Sequence, residues 1–236
     1  MRDDLERAKE AAARHAVETY VRPGLRLALG TGSTTALAIH ALVDRFPKER
    51  FDCVASSRAT EDLARSLGIP VRSLRGEDRF DLMLDGADEV SPALDLTKGG
   101  GGALLREKLL ARLSDELVIL VDPSKLVAAL GERAPIPLEV VPFARPVVER
   151  AVAAEGFRSR HRLASDGRAF LTDNGNELLD LVPRQPLHAP ADAERRLRGL
   201  TGVVETGIFV GLTHRVVVGQ PDGRVEERTR PRTSGR

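Results

Sequence analysis

Three short segments of the chain combine glycine with residues that can bind anions or move protons. The first is Gly30-Thr31-Gly32-Ser33-Thr34, which follows an apolar run and precedes a helical pattern. Glycines let the backbone turn tightly, and a helix N-terminus with nearby hydroxyls offers donors to an anion. The segment lacks the Gly-Lys pair of a Walker A loop and the third glycine of a dinucleotide fingerprint. It predicts a phosphate-binding loop, with an ordinary capped turn as the alternative.

The second segment is acidic. Asp85-Gly86-Ala87-Asp88-Glu89 comes directly after an apolar run. Carboxylates at the end of a strand can bind sugar hydroxyls, transfer protons or hold a divalent cation. No histidine or cysteine accompanies them, which argues against a metal site. A solvated acidic turn is the alternative, but the position at a strand end favours a functional role.

The third segment begins at Lys98, runs through four glycines at 99–102 and enters a helix that carries Glu107. Four consecutive glycines are costly in backbone entropy, so a close approach of backbone to ligand explains them better than a linker does. Ala103 and Ala111, one turn before and after Glu107, leave room beside its carboxylate. The alternative treats the charged triplet around Glu107 as a solvated helical face.

Lys125 is a weaker candidate, at the end of Asp122-Pro123-Ser124-Lys125 and just after another apolar run. It is one of only five lysines in a chain whose other basic residues are all arginine. That preference makes each lysine a candidate for a role that needs a compact ammonium group.

The elements that must position these segments alternate between strand and helix. Apolar runs predict strands near 25–29, 51–55, 69–74, 79–84 and 117–121, with helical patterns between most of them. Such alternation predicts an α/β fold with a doubly wound, mostly parallel Rossmann-like sheet. Ligands of these sheets bind at the carboxyl ends of the strands, and the candidate segments fall there.

The pattern changes near Gly131. A strand, a helix and a strand are followed by a hairpin at Asn174-Gly175, which joins 168–172 to 177–182, and then by another helix and strand. This order predicts a second, smaller ferredoxin-like α+β domain. We predict a Rossmann-like catalytic domain over 1–130 and 207–223, the small domain over 131–206, and a disordered Arg-rich tail over 224–236.

Composition narrows the class of protein. The 36 Lys and Arg residues nearly balance the 35 Asp and Glu residues, so we expect no nucleic-acid or membrane partner. The single cysteine, Cys53, cannot form a disulfide within the chain, which favours a reducing compartment. The acidic N-terminus lacks the layout of a signal peptide, and no apolar run has membrane-spanning length. We therefore expect a cytoplasmic location.

In their order and spacing, these segments resemble the ribose-5-phosphate isomerase type A family. The matching motifs are Gly-Thr-Gly-Ser-Thr at 30–34, Asp-Gly-Ala-Asp-Glu at 85–89, Lys-Gly-Gly-Gly-Gly-Ala at 98–103, Arg-Glu-Lys at 106–108 and Asp-x-Ser-Lys at 122–125. Further matches lie at 137–142, 172–176 and 202–207. The resemblance extends to about Gly223, and the Arg-rich end has no counterpart.

The resemblance implies an isomerase that needs no cofactor and no metal, and that interconverts D-ribose 5-phosphate and D-ribulose 5-phosphate in the non-oxidative branch of the pentose phosphate pathway. It implies that Glu107 is the catalytic base and that the protein is a homodimer or homotetramer. The implied substrate-binding residues are Thr31, Gly32, Ser33, Thr34, Asp85, Gly86, Ala87, Asp88, Lys98, Gly99, Gly100, Gly101 and Lys125.

The implied chemistry suits these residues. Moving a carbonyl between C1 and C2 requires a base that takes the C2 proton, gives an enediolate and returns the proton to C1. Lys98 can neutralise the developing oxyanion, and we assign the proton transfers that open the furanose ring to Asp85. The five histidines lie outside every motif, which disfavours a histidine base.

Three alternatives stay open. An amino-sugar-phosphate deaminase or lactonase is disfavoured by Glu107 after the glycine run. A Schiff-base aldolase would use Lys98 or Lys125, and borohydride would trap its intermediate with substrate. A sugar-phosphate sensor of a transcriptional regulator would need a DNA-binding element, for which the chain has no room before Gly30.

Overall fold

The computed structural model describes residues 2–230, which form two compact units. Unit one comprises the residues up to Gly86, Leu110–Lys125 and the residues from Gly211 onward. Unit two comprises Ala87–Leu109 and Leu126–Val210. These units divide the chain at other points than the predicted domains, because 87–109 was expected in the first domain. The predicted domain boundaries stay a prediction.

The bounds of the elements within the described residues are as follows. The helices are α1 (Arg2–Tyr20), α2 (Ser33–Arg45), α3 (Arg58–Ser66), α4 (Leu104–Arg112), α5 (Arg145–Ala154) and α6 (Pro190–Arg198). The strands are β1 (Arg26–Leu29), β2 (Asp52–Ala55), β3 (Leu82–Asp85), β4 (Glu89–Val90), β5 (Leu96–Thr97), β6 (Leu117–Val121), β7 (Ile136–Val140), β8 (Phe157–His161), β9 (Glu177–Pro183), β10 (Val203–Thr206), β11 (Ile208–Phe209), β12 (Arg215–Gly219) and β13 (Val225–Thr229). Two 3-10 turns occupy Pro123–Lys125 and Pro142–Ala144. No helix in this part of the chain has both the length and the apolar character needed to cross a membrane.

Unit one contains a six-stranded sheet in the order β13-β12-β6-β3-β1-β2. Its neighbours are parallel except for the antiparallel pair of β12 and β13. The mostly parallel sheet predicted from the sequence is therefore confirmed. β1 lies between β2 and β3, so the chain crosses to opposite sides of β1 in succession. Ligands of open parallel sheets bind beyond the carboxyl ends of the strands at such a reversal.

The alanines of α1 allow this helix to approach the sheet of unit one closely. Ala8, Ala12 and Ala16 recur every four residues, so they share one face of the helix, and all three are buried. On β12, a Cβ atom at Gly219 would lie 1.9 Å from the carbonyl oxygen of Ala8. Small residues on both elements are therefore needed for the packing of α1 on the sheet.

The end of the chain corrects a prediction. The disordered tail expected over 224–236 is wrong for Val225–Thr229, which forms β13 and pairs antiparallel with β12. Asp222-Gly223 is a hairpin signal, and it accounts for the turn before β13. Gly223 takes φ +87°, and the N–H of Gln220 donates to the carbonyl of Arg224 at 2.8 Å, which closes the turn. Residues 231–236 lie outside the described residues.

The strand expected over 69–74 does not form. Only one bridge joins Val71 to Cys53 of β2. Arg72 is the next residue, and its guanidinium lies 2.6 Å from the Asp52 carboxylate and 2.7 Å from that of Asp78. This polar cluster interrupts the apolar run after three residues, so the segment contributes a bridge instead of a strand.

Unit two contains a four-stranded antiparallel sheet in the order β10-β7-β9-β8. Its chain order is β7-α5-β8-β9-α6-β10, the ferredoxin-like arrangement that was predicted. The predicted extra strand over 168–172 is wrong, because single bridges at Ala169 and Leu171 are all that form there. A second, three-stranded sheet in the order β11-β5-β4 holds the segment that precedes the glycine run.

Candidate active site

The predicted phosphate-binding loop lies in unit one at the carboxyl end of β1. The N–H of Gly30 donates to the carbonyl of Leu84 at 2.9 Å, which fixes the start of the loop beside β3. Gly32 takes φ +117°, a value that favours glycine, and α2 begins at the next residue. Gly32 and Ser33 are exposed, whereas the Thr34 side chain is buried. The exposed N-terminus of α2 therefore offers N–H groups and a hydroxyl to an anion.

Asp85 ends β3 and supports this loop from within. Its side chain is fully buried, and Oδ1 accepts the N–H of Thr31 at 3.1 Å and that of Gly86 at 2.8 Å. A Cβ atom at Gly30 would lie 2.0 Å from the same oxygen, so only glycine fits there. Because the Thr31 N–H is directed at Asp85, the donors available to a bound anion begin at Gly32.

A cluster of hydroxyl groups around Thr31 escaped the sequence analysis. The Thr31 hydroxyl lies 2.7 Å from that of Ser56 and donates to that of Ser57 at 2.9 Å. Thr60 donates to the Gly30 carbonyl at 2.8 Å. The available signal was the pair Ser56-Ser57 directly after β2, at the same sheet edge as the loop. These hydroxyls make Thr31 a part of the loop's framework.

Lys125 also belongs to unit one. It ends the 3-10 turn after β6, the strand that pairs with β3, so it follows the strand next to Asp85. Its N–H donates to the carbonyl of Asp122 at 3.2 Å, and the Asp122 carboxylate accepts the N–H of Ser124 at 2.9 Å. The turn therefore places Lys125 at the carboxyl edge of the sheet, as predicted.

In unit two, Lys98 and Glu107 form a buried ion pair. Lys98 Nζ lies 3.2 Å from Glu107 Oε1, and both side chains are almost completely buried. Glu107 lies one turn into α4, where its N–H donates to the Ala103 carbonyl at 2.9 Å. Lys98 follows β5, and its N–H donates to the Gly207 carbonyl at 2.8 Å. The alternative of a solvated helical face is therefore wrong for Glu107.

Lys108, the next residue of α4, is buried as well. Its ammonium lies 2.8 Å from both Glu194 and Glu205, so its charge is matched within unit two. The Phe209 ring lies 4.8 Å from Lys108 Nζ and 5.7 Å from Lys98 Nζ, measured to the ring centroid. The negative face of an aromatic ring attracts cations, so Phe209 helps to hold both ammonium groups. No sequence motif indicated Phe209.

Asp88 shapes the glycine run. Its Oδ2 accepts the N–H of Gly100 at 2.8 Å, and its own N–H donates to the Thr97 carbonyl at 2.8 Å. A Cβ atom at Gly100 would lie 2.6 Å from Oδ1 of the same carboxylate. Gly100 and Gly101 are exposed, and Gly99 takes φ +96°. The middle of the run is therefore exposed, while Gly99 and Gly102 are buried, and ligand binding by the run stays a prediction.

The predicted residues therefore fall into two groups. Unit one brings together the loop 30–34, Asp85 and Gly86, while unit two brings together Asp88, Lys98, the glycines 99–101 and Glu107; Ala87, next to Asp88, begins unit two. A buried carboxylate beside a buried ammonium can move a proton while the cation balances charge on a neighbouring oxygen.

The chain is similar to known proteins over nearly its whole length. Residues 52–223 match the family model of ribose 5-phosphate isomerase A (phosphoriboisomerase A). The chain is 46% identical over 228 residues to ribose-5-phosphate isomerase A of Thermomicrobium roseum, covering 95% of both. The structure of ribose 5-phosphate isomerase A from Methanocaldococcus jannaschii is 38% identical, with a TM-score of 0.87 over 94% of this chain and 97% of that one. A D-ribose-5-phosphate isomerase in complex with phospho-erythronic acid is 34% identical, with a TM-score of 0.91 over 96% and 100%.

Proposed function

The chain belongs to the ribose 5-phosphate isomerase A family, and from this premise we propose that it interconverts D-ribose 5-phosphate and D-ribulose 5-phosphate. The buried ion pair of Lys98 and Glu107, with Nζ and Oε1 3.2 Å apart, carries this proposal. An aldose–ketose isomerase needs one base for two adjacent carbons and one cation for the oxygen that becomes negative. The pair supplies both groups.

Glu107 is the proton shuttle in this proposal. Its carboxylate takes the proton from C2 of the open-chain aldose, and the electrons of that C–H bond form the C1–C2 double bond of an enediolate. The C1 carbonyl oxygen becomes negative, and the Lys98 ammonium stabilises it. The proton of the C2 hydroxyl passes to the oxygen on C1, the same carboxyl group returns its own proton to C1, and the carbonyl forms at C2. No atoms are gained or lost, so the step needs no redox cofactor.

The residues of unit one bind the phosphate and open the ring in this proposal. The N-terminus of α2, with Ser33 and Thr34, binds the phosphate, and Lys125 adds positive charge. Asp85 transfers the protons that open the furanose ring. The burial of Asp85 and its bonds to Thr31 and Gly86 support a second task, which is to hold the loop in shape.

A coupled assay for ribulose 5-phosphate tests the proposed function. The protein should form ribulose 5-phosphate from ribose 5-phosphate, and unphosphorylated ribose should be a very poor substrate. Phospho-erythronic acid, which the solved relative binds, should inhibit competitively. A protein that binds ribose 5-phosphate without converting it would instead be a sensor, and trapping by borohydride would indicate a Schiff base.

We also propose that the reaction needs no metal, and the chemistry of the donor set supports this. The acids at 85–89 have no imidazole or thiolate beside them in the sequence, and Asp85 and Asp88 accept backbone N–H groups. Activity should survive exhaustive treatment with EDTA. A loss of activity that one divalent ion restores would contradict this prediction and move Asp85 and Asp88 to a metal site.

We propose that the protein is a homodimer or homotetramer, and we propose that it is cytoplasmic. The family resemblance supports both proposals. Light scattering coupled to size-exclusion chromatography measures the oligomeric state. A monomer at assay concentration that is fully active would contradict it.

A further inference from the structure

The guanidinium of Arg162, the residue that follows β8, contacts the glycine run directly. Its Nη1 donates to the carbonyls of both Gly99 and Gly100, each at 3.0 Å. Arg162 follows these glycines by 63 and 62 positions in the chain. No motif of the sequence analysis included Arg162.

The guanidinium is itself held in place. Nε donates to both carboxylate oxygens of Asp180 on β9, at 3.2 and 3.0 Å, and Nη2 donates to Oδ1. The backbone of Arg162 is paired on both sides, with Leu178 at 2.9 Å and Phe170 at 3.0 Å. The Phe170 ring centroid lies 5.9 Å from the guanidinium carbon, and a Cβ atom at Gly102 would lie 2.6 Å from the same ring. Arg162 therefore acts as a rigid donor.

These contacts fix the direction of two peptide planes. In a trans peptide the C=O and the following N–H point in opposite directions. Because the Gly99 carbonyl faces Arg162, the Gly100 N–H faces away from it, and there it donates to Asp88 at 2.8 Å. The Gly100 carbonyl also faces Arg162, so the Gly101 N–H points away from the guanidinium as well. Gly101 is exposed, which makes that N–H a donor that a substrate oxygen can reach.

We propose that Arg162, oriented by Asp180, is a positioning residue that fixes the glycine run so that the Gly101 N–H binds an oxygen of the sugar. The proposal rests on the proposed function, because it assigns a task within that substrate site. Glycines are the most mobile residues of a chain. Within the run the Gly102 N–H donates to the Gly99 carbonyl at 2.9 Å, and the bonds from Arg162 hold the Gly99 and Gly100 carbonyls from outside. Arginine suits this task because its planar fork bonds a carboxylate with one edge and two carbonyls with another nitrogen.

The test compares Arg162→Met and Arg162→Lys with Arg158→Met, a control at an exposed position of β8 that pairs with Val182 and not with Asp180. In Arg162→Met we expect the KM for ribose 5-phosphate to rise about tenfold, as for a lost hydrogen bond to substrate. The inhibition constant of inorganic phosphate should stay within about twofold, since the loop of unit one binds it. Arg162→Lys should not restore the KM, whereas Arg158→Met should match the wild type.

Amide hydrogen exchange supplies a readout that does not depend on activity. In Arg162→Met the peptide that covers 99–103 should exchange faster than in the wild type, while α1 should be unchanged. Unchanged exchange in this peptide would contradict the proposal that Arg162 fixes the glycine run, even if the enzyme is active. The positioning role would be contradicted if the KM for ribose 5-phosphate and the inhibition constant of inorganic phosphate rose equally. A wild-type KM in Arg162→Lys would contradict it as well. A wild-type chain without isomerase activity would refute the proposed function. Amide hydrogen exchange would then still show whether Arg162 fixes the glycine run.

Discussion

The ammonium of Lys98 occupies a small, buried space between Glu107 and the Phe209 ring. A guanidinium is planar and wider, so it cannot fill the same space and keep its distance from the carboxylate. Lys98→Arg should therefore lose most of its turnover, on the order of 100-fold in kcat, as a misplaced group in an active site does. Steady-state kinetics measures this loss, and circular dichroism should show a folded protein.

The matched control is Lys48→Arg, since Lys48 is an exposed lysine of unit one. It should be fully active. If Lys98→Arg turns over at a near-normal rate, positive charge alone is sufficient and the compact ammonium has no special role.

For individual side chains, the sequence indicated which residue types take part in the site but not that Lys98 and Glu107 form a buried ion pair. The glycine run and the alanines around Glu107 indicated a ligand-facing carboxylate, and Glu107 does lie buried beside a cation. What places Lys98 there is the hydrogen bond of its N–H to Gly207, more than a hundred residues away along the chain. A Cβ atom at Gly207 would lie 2.3 Å from the Lys98 carbonyl oxygen. Contacts of this kind leave no local pattern, which is also why Arg162 and Phe209 were not predicted.

Among the elements, α2 has the clearest testable role. Its N-terminus is exposed at Gly32 and Ser33, and Gly32 gives it no side-chain cap. The double variant Ser33→Ala with Thr34→Ala removes the exposed hydroxyl of Ser33 and the buried hydroxyl of Thr34 beside it. We expect it to weaken binding of ribose 5-phosphate and of inorganic phosphate together, by about tenfold each. Inhibition kinetics measures both constants.

A suitable control for that variant is Ser66→Ala, whose hydroxyl donates to the Leu63 carbonyl at an exposed site of α3. It should bind phosphate normally. Unchanged phosphate affinity in the double variant would return the loop to an ordinary capped turn.

The buried cysteine of β2 makes a pH-dependent contribution to stability. Burial, and next the neighbouring Asp52 carboxylate, raise the pKa of the Cys53 thiol from 9.0 to about 12. A raised folded-state pKa means that the folded protein holds the proton more tightly than the unfolded chain. The contribution is complete below pH 9 and is lost as the pH rises towards 12.

Urea unfolding of wild type and Cys53→Ala between pH 8 and 11 tests this sign. The difference in the free energy of unfolding should shrink by at most about 1.4 kcal/mol per pH unit above pH 9. A difference that is constant over this range would contradict the raised pKa.

Elements with a strong local pattern were predicted well, and those that depend on partners were not. The strand β6, an uninterrupted apolar run, and the βαββαβ order of the small sheet were both confirmed. The expected strand over 69–74 became a single bridge because Arg72 pairs with two carboxylates. β13 reads as polar because it lies at a sheet edge, and only pairing with β12 makes it a strand.

In the whole molecule, each compact unit is assembled from segments that are not consecutive in the chain. Residues 87–109 belong with 126–210 in unit two, although the sequence pattern groups them with the parallel sheet before them. The reason lies in the short strands β4 and β5, which pair with each other, and β5 also pairs with β11 from a distant part of the chain. A two-residue strand carries too little periodicity for its partner to be predicted.

The proposed mechanism depends above all on Glu107, which we propose to move the proton between C2 and C1. Glu107→Gln keeps the shape of the side chain but removes its basic lone pair. Loss of a general base typically lowers turnover on the order of 100- to 10,000-fold. The inhibition constant of inorganic phosphate should change little, because the groups that we propose to bind phosphate belong to unit one.

The decisive measurement is solvent exchange in heavy water, followed by NMR of the carbon-bound hydrogens of the sugar phosphate. The wild type should exchange hydrogen with solvent during isomerisation, since a proton held on a carboxyl group can be replaced before it is returned. Glu107→Gln should show neither turnover nor exchange while it still binds phosphate. If the variant keeps even about a tenth of the activity, or still exchanges the C2 hydrogen, Glu107 is not the base and the proton shuttle must be another group.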